Sequence, residues 1–341
     1  MKPLSTAAAL LLALFSAIAP VDPSAAQQPG AEPLGLYHEI HGEGEPLVLL
    51  HGAFMTIETN WASSLAELAL SRKVVAVELQ GHGRTADRNG PLRYDTMADD
   101  VARLLETLGI EKAAVLGYSM GGNVALQLAL RHPDRVEHIV AISAAASDKG
   151  LAAGHKDMAQ HLSADMFQGT PLVAEYEKLS PRPDFPGLVG KAKQLELTSF
   201  DWTADLARIK ARTLPIAGDA DVVTLDHPAD IHRALGGHAN GDINGPSRAQ
   251  LLVLPATTHM GILQSRSGHR RHKGLPGSTG AAIIIEERDR QRLCHAEPFR
   301  NQQPPSASAS KHSRDEIFGS GGQLHSNTHT EIITYRFSTV I

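Results

Sequence analysis

Gly117-Tyr118-Ser119-Met120-Gly121 follows the pattern G-x-S-x-G. A serine hydroxyl is a weak nucleophile until a base takes its proton, and the base needs an acid to hold it in the right tautomer. The pattern offers a way to present the hydroxyl. It follows an apolar run, Ala113–Leu116, and precedes a helical stretch, so the serine would sit on a tight strand-to-helix turn. On such a turn Oγ stands clear of the sheet, beside helical N–H groups that favour developing negative charge. A Gly-rich turn with a capping serine would show the same five residues, so the argument depends on finding its partners.

Those partners follow in chain order. "IAGDADVV" carries Asp219 and Asp221 just past one apolar run, and "LPATTHMG" carries His259 just past the next. An open α/β sheet places its active site at the C-terminal ends of its strands, and Ser…Asp…His is the order expected there. Asp221 is the expected acid, with Asp219 as the alternative, and His259 is the expected base. The chain holds 18 histidines, so position rather than residue type singles out His259. His51-Gly52-Ala53-Phe54 follows the first buried run, where a loop donates one N–H to an oxyanion while the residue after the nucleophile donates the other. This assigns the backbone N–H groups of Ala53 and Met120. His51 reads as a support for that loop, and Gly81-His82-Gly83 as a structural turn.

Six short apolar runs must position these residues. Leu47–Leu50, Val74–Leu79 and Ala113–Leu116 are followed by "HIVAIS", "TLPIAGD" and "QLLVLP". Runs of this length bounded by Gly or Pro suit strands buried on both faces. "LGLYHEIHGEGEPLVLLHG" reads as a hairpin leading into the first of them. Helical spacing appears over Trp61–Arg72, over Tyr94–Leu108 with a capping pair at Thr96 and Asp99, and over Asn123–His132, which Pro133 ends. Strand–helix alternation predicts an α/β domain with a doubly wound, mainly parallel sheet. Residues 148–200, with loops such as "SPRPDFPG", break the rhythm and read as a short helical cap.

"LVLLHGAF", "VVAVELQGHGRT", "VLGYSMGGNVALQLALRHPDRV", "TLPIAGDADVV" and "LLVLPATTHMG" together resemble the α/β-hydrolase superfamily, in its serine esterase-like branch. The resemblance spans roughly residues 34–264. It implies an eight-stranded, mostly parallel sheet and a helical cap over the pocket. It also implies a Ser119–Asp221–His259 triad that hydrolyses a small-molecule acyl substrate through an acyl-enzyme, with no cofactor and no metal. Lactone opening, C–C hydrolysis, aminopeptidase action and perhydrolysis use the same triad on this fold. Two departures stand out. Glu78 replaces the Asp that many relatives carry before the G-H-G turn. After His259, "QSRSGHRRHKG" stands where relatives continue into a closing amphipathic helix. Without that helix an inactive remnant of the fold is the competing expectation, since several buried apolar side chains contribute several kcal/mol.

The ends of the chain have a different character. Lys2, the apolar stretch Ala7–Ala19 and the small residues Ser24-Ala25-Ala26 read as a signal peptide over 1–26, hence an exported protein with no membrane span after cleavage. A retained anchor is the alternative. The domain then runs over 27–264. From residue 265 onward there are 11 Lys and Arg against 7 Asp and Glu, and periodicity is lost, as in a segment translated out of frame. Its histidines lack zinc-like spacing and its basic run lacks aromatic partners, so neither metal nor nucleic acid is an expected ligand.

Overall fold

Four consecutive apolar residues, Leu47 to Leu50, are all buried, and their place in the sheet explains why. Strand β2 (Glu45–Leu50) runs parallel to β3 (Arg72–Val77) on one side and to β4 (Ala113–Tyr118) on the other. Alternate side chains of a strand face opposite sides of the sheet. Val48 and Leu50 therefore join one core with Val75, Val77 and Val115. Leu47 and Leu49 join a second core with Val74, Ala76 and Leu116.

In the computed structural model the described residues are 34–263, with the backbone of Ile283–Ile284 and Tyr335–Arg336, which pair as two short parallel strands. The expected signal peptide and, apart from that pair, the tail from residue 265 lie outside the described residues. Among the described residues the main sheet has seven strands, in the order β1-β3-β2-β4-β5-β6-β7, where the resemblance implies eight. It comprises β1 (His38–His41), β5 (Val136–Ile142), β6 (Arg212–Ala220) and β7 (Leu252–Thr258) besides the three strands above. Strands β2 to β7 are parallel, which gives the expected mainly parallel α/β sheet.

The expected hairpin does not form. β1 pairs antiparallel with β3, His38 opposite Val77 and His41 opposite Val74, so β3 lies between the two arms. The two-sided apolar pattern of β2 requires an interior position, whereas the His and Glu residues of β1 suit an edge. Helix boundaries also differ. Helix α1 (Ile57–Leu68) starts before Trp61 because Thr56 caps it, exchanging hydrogen bonds with Thr59, and it ends before Arg72, which opens β3. Helix α2 (Tyr94–Thr107) has no Thr96–Asp99 box. Arg93 is its N-cap, the Thr96 N–H donates to Asp95, and Asp99 is turned toward Arg131 and His132. Helix α3 (Met120–Arg131) begins directly after Ser119 rather than at Asn123.

Between β5 and β6 come α4 (His155–His161), α5 (Pro171–Leu179) and α6 (Phe185–Leu197), linked by 3-10 turns. After β6 come α7 (Asp226–Ala234) and α8 (Gly241–Asn244). Among the described residues no helix is long and apolar enough to cross a membrane. The chain leaves β2 for β3 on one side, then returns to place β4 on the other. That reversal opens a crevice beyond the C-terminal ends of β2 and β4, where Ala53 and Ser119 arrive.

Candidate active site

Ser119 is the residue between β4 and α3, and its backbone adopts φ 52°, ψ −119°. A non-glycine residue pays roughly 1–3 kcal/mol for such a conformation, so the surroundings must enforce it. The Ser119 N–H donates to the Ile142 carbonyl at 2.8 Å, and the Asn123 N–H donates to the Ser119 carbonyl at 3.0 Å. The two glycines of the pattern make the turn possible by close approach. A Cβ on Gly121 would run into the backbone of Leu50 and His51, and one on Gly117 into the Gly121 carbonyl. The remaining non-glycine residues at positive φ among those described are Phe54, Ser143 and Ala256. Phe54 and Ser143 follow β2 and β5, and Ala256 lies in β7 three residues before His259, so the strain gathers around one place.

Three expected residues come together there. His259 Nε2 lies 3.0 Å from Ser119 Oγ, and His259 Nδ1 lies 2.7 Å from Asp221 Oδ1. A carboxylate at Nδ1 accepts a hydrogen bond from Nδ1–H and so keeps the proton there, which leaves Nε2 with the lone pair that faces the serine. The Asp221 side chain is 0% exposed and that of His259 is 20% exposed. Burial alone would raise the Asp221 carboxyl, but hydrogen bonds from His259 and Ser143 and the His259 charge hold it below the ordinary carboxylate range. Asp219 does not reach the histidine. It accepts the Thr257 N–H at 3.1 Å and so ties the histidine's strand to the end of β6.

Two contributors had no signal in the sequence. Ser143, just past β5, donates its hydroxyl to Asp221 Oδ2 at 2.5 Å. Tyr118 donates its hydroxyl to the His259 carbonyl at 3.0 Å and packs its ring 5.2 Å from the imidazole. Both bonds span long sequence separations, and only the pattern Y-S at the elbow places Tyr118 near the site at all.

Ala53 and Met120 line the same cavity, and neither backbone N–H has an acceptor among the described residues. The Ala53 loop is stiffly supported. The Gly52 N–H donates to Asn60 Oδ1 at 2.9 Å. Buried His51 donates from Nδ1 to the Gly52 carbonyl at 2.7 Å and accepts the Leu79 N–H at Nε2. Burial, and then the neighbouring His82, lower the His51 pKa to about 3. Burial lowers that of His82 to about 4, and its Nδ1 bonds the Gln80 carbonyl at 2.8 Å. Glu78, beneath the same turn, receives the Arg84 guanidinium at 2.8 Å. A Cβ on Gly83 would strike that carboxylate, which accounts for the small residue in the turn.

Ser119 and His259 open onto a cavity of about 230 Å³. Its apolar wall includes Met55, Leu151, Phe200, Val222, Val223 and Met260. Besides Ser119, His259 and Ser143, its polar residues are Tyr94, Tyr118, Asn123, His155 and Glu196, and among the described residues no Lys or Arg lines it. Among the described residues no cluster of three or more His, Cys, Asp or Glu is arranged to hold a metal ion. The arrangement can activate a serine hydroxyl, accept its proton and hold an oxyanion, at the mouth of a small and largely apolar cavity.

Residues 45–188 match the family model described as alpha/beta hydrolase fold. A protein of Caulobacter sp. (strain K31), provisionally named carbamate hydrolase RutD, is 30% identical over 212 residues, 55% of this chain and 79% of that protein. The 2-hydroxymuconate semialdehyde hydrolase of Pseudomonas sp. (strain CF600) is 38% identical over 117 residues, 33% of this chain and 41% of that protein. Among solved structures, a meta-cleavage product hydrolase (CumD) from Pseudomonas fluorescens IP01 superposes with a TM-score of 0.54 at 23% identity, over 66% of this chain and 88% of that one.

Proposed function

The chain belongs to the alpha/beta-hydrolase family, and from that premise we propose that it is a serine hydrolase of ester or related acyl bonds. The observation that carries the proposal is the continuous chain Ser119 Oγ, His259 Nε2, His259 Nδ1, Asp221 Oδ1, at 3.0 and 2.7 Å, facing a cavity. Ser119 attacks the carbonyl carbon while His259 takes the hydroxyl proton, and Asp221 stabilises the imidazolium that forms. The unpartnered N–H groups of Ala53 and Met120 hold the oxygen as it becomes negative. His259 then returns the proton to the departing group. Water, deprotonated by the same imidazole, attacks the acyl-enzyme and frees Ser119. No step requires a cofactor or a metal ion.

The names of relatives cover carbamate and semialdehyde substrates, and residues of the triad type do not separate such reactions, because the pocket decides the substrate. The cavity supports a small acyl compound with a largely apolar chain. A screen of p-nitrophenyl esters, with fluorophosphonate labelling, tests the reading. The wild-type protein labels and turns over ester, and Ser119→Ala does neither, with kcat reduced on the order of 10⁴-fold or more. Folded wild-type protein that takes no label would refute it.

A further inference from the structure

The cap places a polar pair in the cavity wall. His155 opens α4 and Glu196 lies at the end of α6, and both line the cavity that Ser119 faces. His155 Nε2 lies 2.9 Å from Glu196 Oε2. This contact consumes one imidazole nitrogen and one carboxylate oxygen. Glu196 Oε1 has no hydrogen-bond partner among the described residues, and the His155 Nδ1 atom is buried without one. With Nε2–H donated to the carboxylate, the contact holds Glu196 in place and leaves its second oxygen as an acceptor on a residue that lines the cavity. That acceptor goes unmet until a donor arrives.

The charge in the cavity points the same way. Glu196 is the acidic residue of the lining, and among the described residues no Lys or Arg lines the wall to balance it. The Glu196 charge is felt across the cavity. Burial first, and then Glu196, push the Tyr94 hydroxyl well above its usual range, so it stays a neutral phenol. A carboxylate on the substrate would meet repulsion here, whereas a hydroxyl or amino group would meet acceptors.

We propose that Glu196, held in place by His155, forms a recognition subsite for a hydrogen-bond donor, so that the preferred substrates are acyl compounds bearing a hydroxyl or amino group away from the scissile carbonyl. The proposal rests on the serine-hydrolase reading only for which bond is cleaved. The subsite discriminates before chemistry begins, because an apolar chain end would leave the Glu196 oxygen unpaired.

Binding to the Ser119→Ala protein separates the subsite from turnover. Calorimetry would compare methyl esters of matched chain length that end in a methyl, a hydroxyl, an ammonium or a carboxylate group. The hydroxyl and ammonium esters bind roughly tenfold tighter than the plain ester, and the carboxylate ester binds weakest. Adding Glu196→Gln removes the ammonium preference and relieves the rejection of the carboxylate. His155→Leu narrows the hydroxyl preference. Equal binding of plain and donor-bearing esters on the parent protein overturns the proposal, whether or not the second variants fold. So does an ammonium preference that survives in folded Glu196→Gln protein. Fluorophosphonate labelling of the wild type reads Ser119 alone. Labelling without donor preference would sink the subsite and spare the serine reading, and donor preference without labelling would do the reverse.

Discussion

Ser119 and His259 meet 3.0 Å apart, yet the two arms that carry them are held by different means. The nucleophile arm, β4 and α3, lies in mid-sheet. All of β4 is buried, and so is every residue of α3 except Arg131. The arm of the proposed base is β7, which among the described residues has β6 as its single neighbour and is buried only at Leu254 and Thr257. Packing holds the serine, at a strained φ that nothing local favours. A few hydrogen bonds hold the histidine, from Tyr118 to its carbonyl, from its ring to Asp221, and from Thr257 to Asp219. Substitutions in the base arm should therefore remove activity while sparing the fold, and substitutions in the nucleophile arm should cost the fold itself.

The largest effect expected is on rate. Asp221→Asn keeps shape but takes away the charge that fixes the Nδ1–H tautomer, so kcat on a p-nitrophenyl ester falls on the order of 10⁴-fold. Asp219→Asn touches a backbone N–H alone, and kcat falls less than about tenfold. Melting temperatures stay close to that of the parent in both. Equal losses in the two variants would mean that the acid has been wrongly chosen.

Acid should act first on the support of the oxyanion loop and later on the base arm. His51 and His82 are held neutral, with pKa values lowered to about 3 and about 4, against about 6.5 when the chain is unfolded. Between those values the unfolded chain binds more protons, so stability is full above about pH 6.5 and falls as the pH drops toward 4. The loss is on the order of a few kcal/mol across that window. Asp221 behaves oppositely, with its folded pKa depressed. Its contribution is full above about pH 4 and is lost only as the pH falls through the lower folded value. Urea unfolding across this range measures the slope, and His82→Gln should flatten it. A flat profile in the parent would show that the buried histidines do not set acid stability.

Two glycines make the third comparison. Gly121→Ala pushes a methyl group into the backbone of Leu50 and His51, which cannot move without opening the sheet, and costs about 3 kcal/mol. Gly261→Ala in the base arm meets only the Thr258 hydroxyl and costs well under about 1 kcal/mol. Chemical denaturation of both variants checks the ratio, and similar costs would remove the contrast between the arms.

The same contrast explains what could be read in advance. The glycines around Ser119, the apolar runs of β2 to β7 and the position of His259 after the last run are local patterns, and local patterns carry the mainly parallel sheet. The partner of β1 depends on a strand thirty-odd residues away, and "HGEGE" looks the same whether or not β3 intervenes. Thr56 and Thr59 cap α1 reciprocally, but without the Glu that would have marked the motif. Ser143 and Tyr118 act through bonds to residues 78 and 141 positions away, and a lone serine or tyrosine says nothing about such partners. His155 and Glu196 meet only because α4 and α6 pack together.

Tyr118→Phe gives the smallest effect and the sharpest view of the boundary between the arms, because the residue belongs to one and donates to the other. The phenyl ring keeps the contact with the imidazole, so what is lost is the hydroxyl's bonding to the His259 carbonyl and its contact with the Met260 sulfur. That histidine is partly exposed, so water can replace the donor and the cost is about 1 kcal/mol, or roughly fivefold in kcat/KM. Ser143→Ala should cost more, because the Asp221 carboxylate it serves is fully buried and no water reaches it. Steady-state kinetics on the two variants rank the bonds. If Tyr118→Phe proved the more damaging, the loop rather than the carboxylate would be the weak point of the base arm, and the position of His259 would depend chiefly on the nucleophile's own strand.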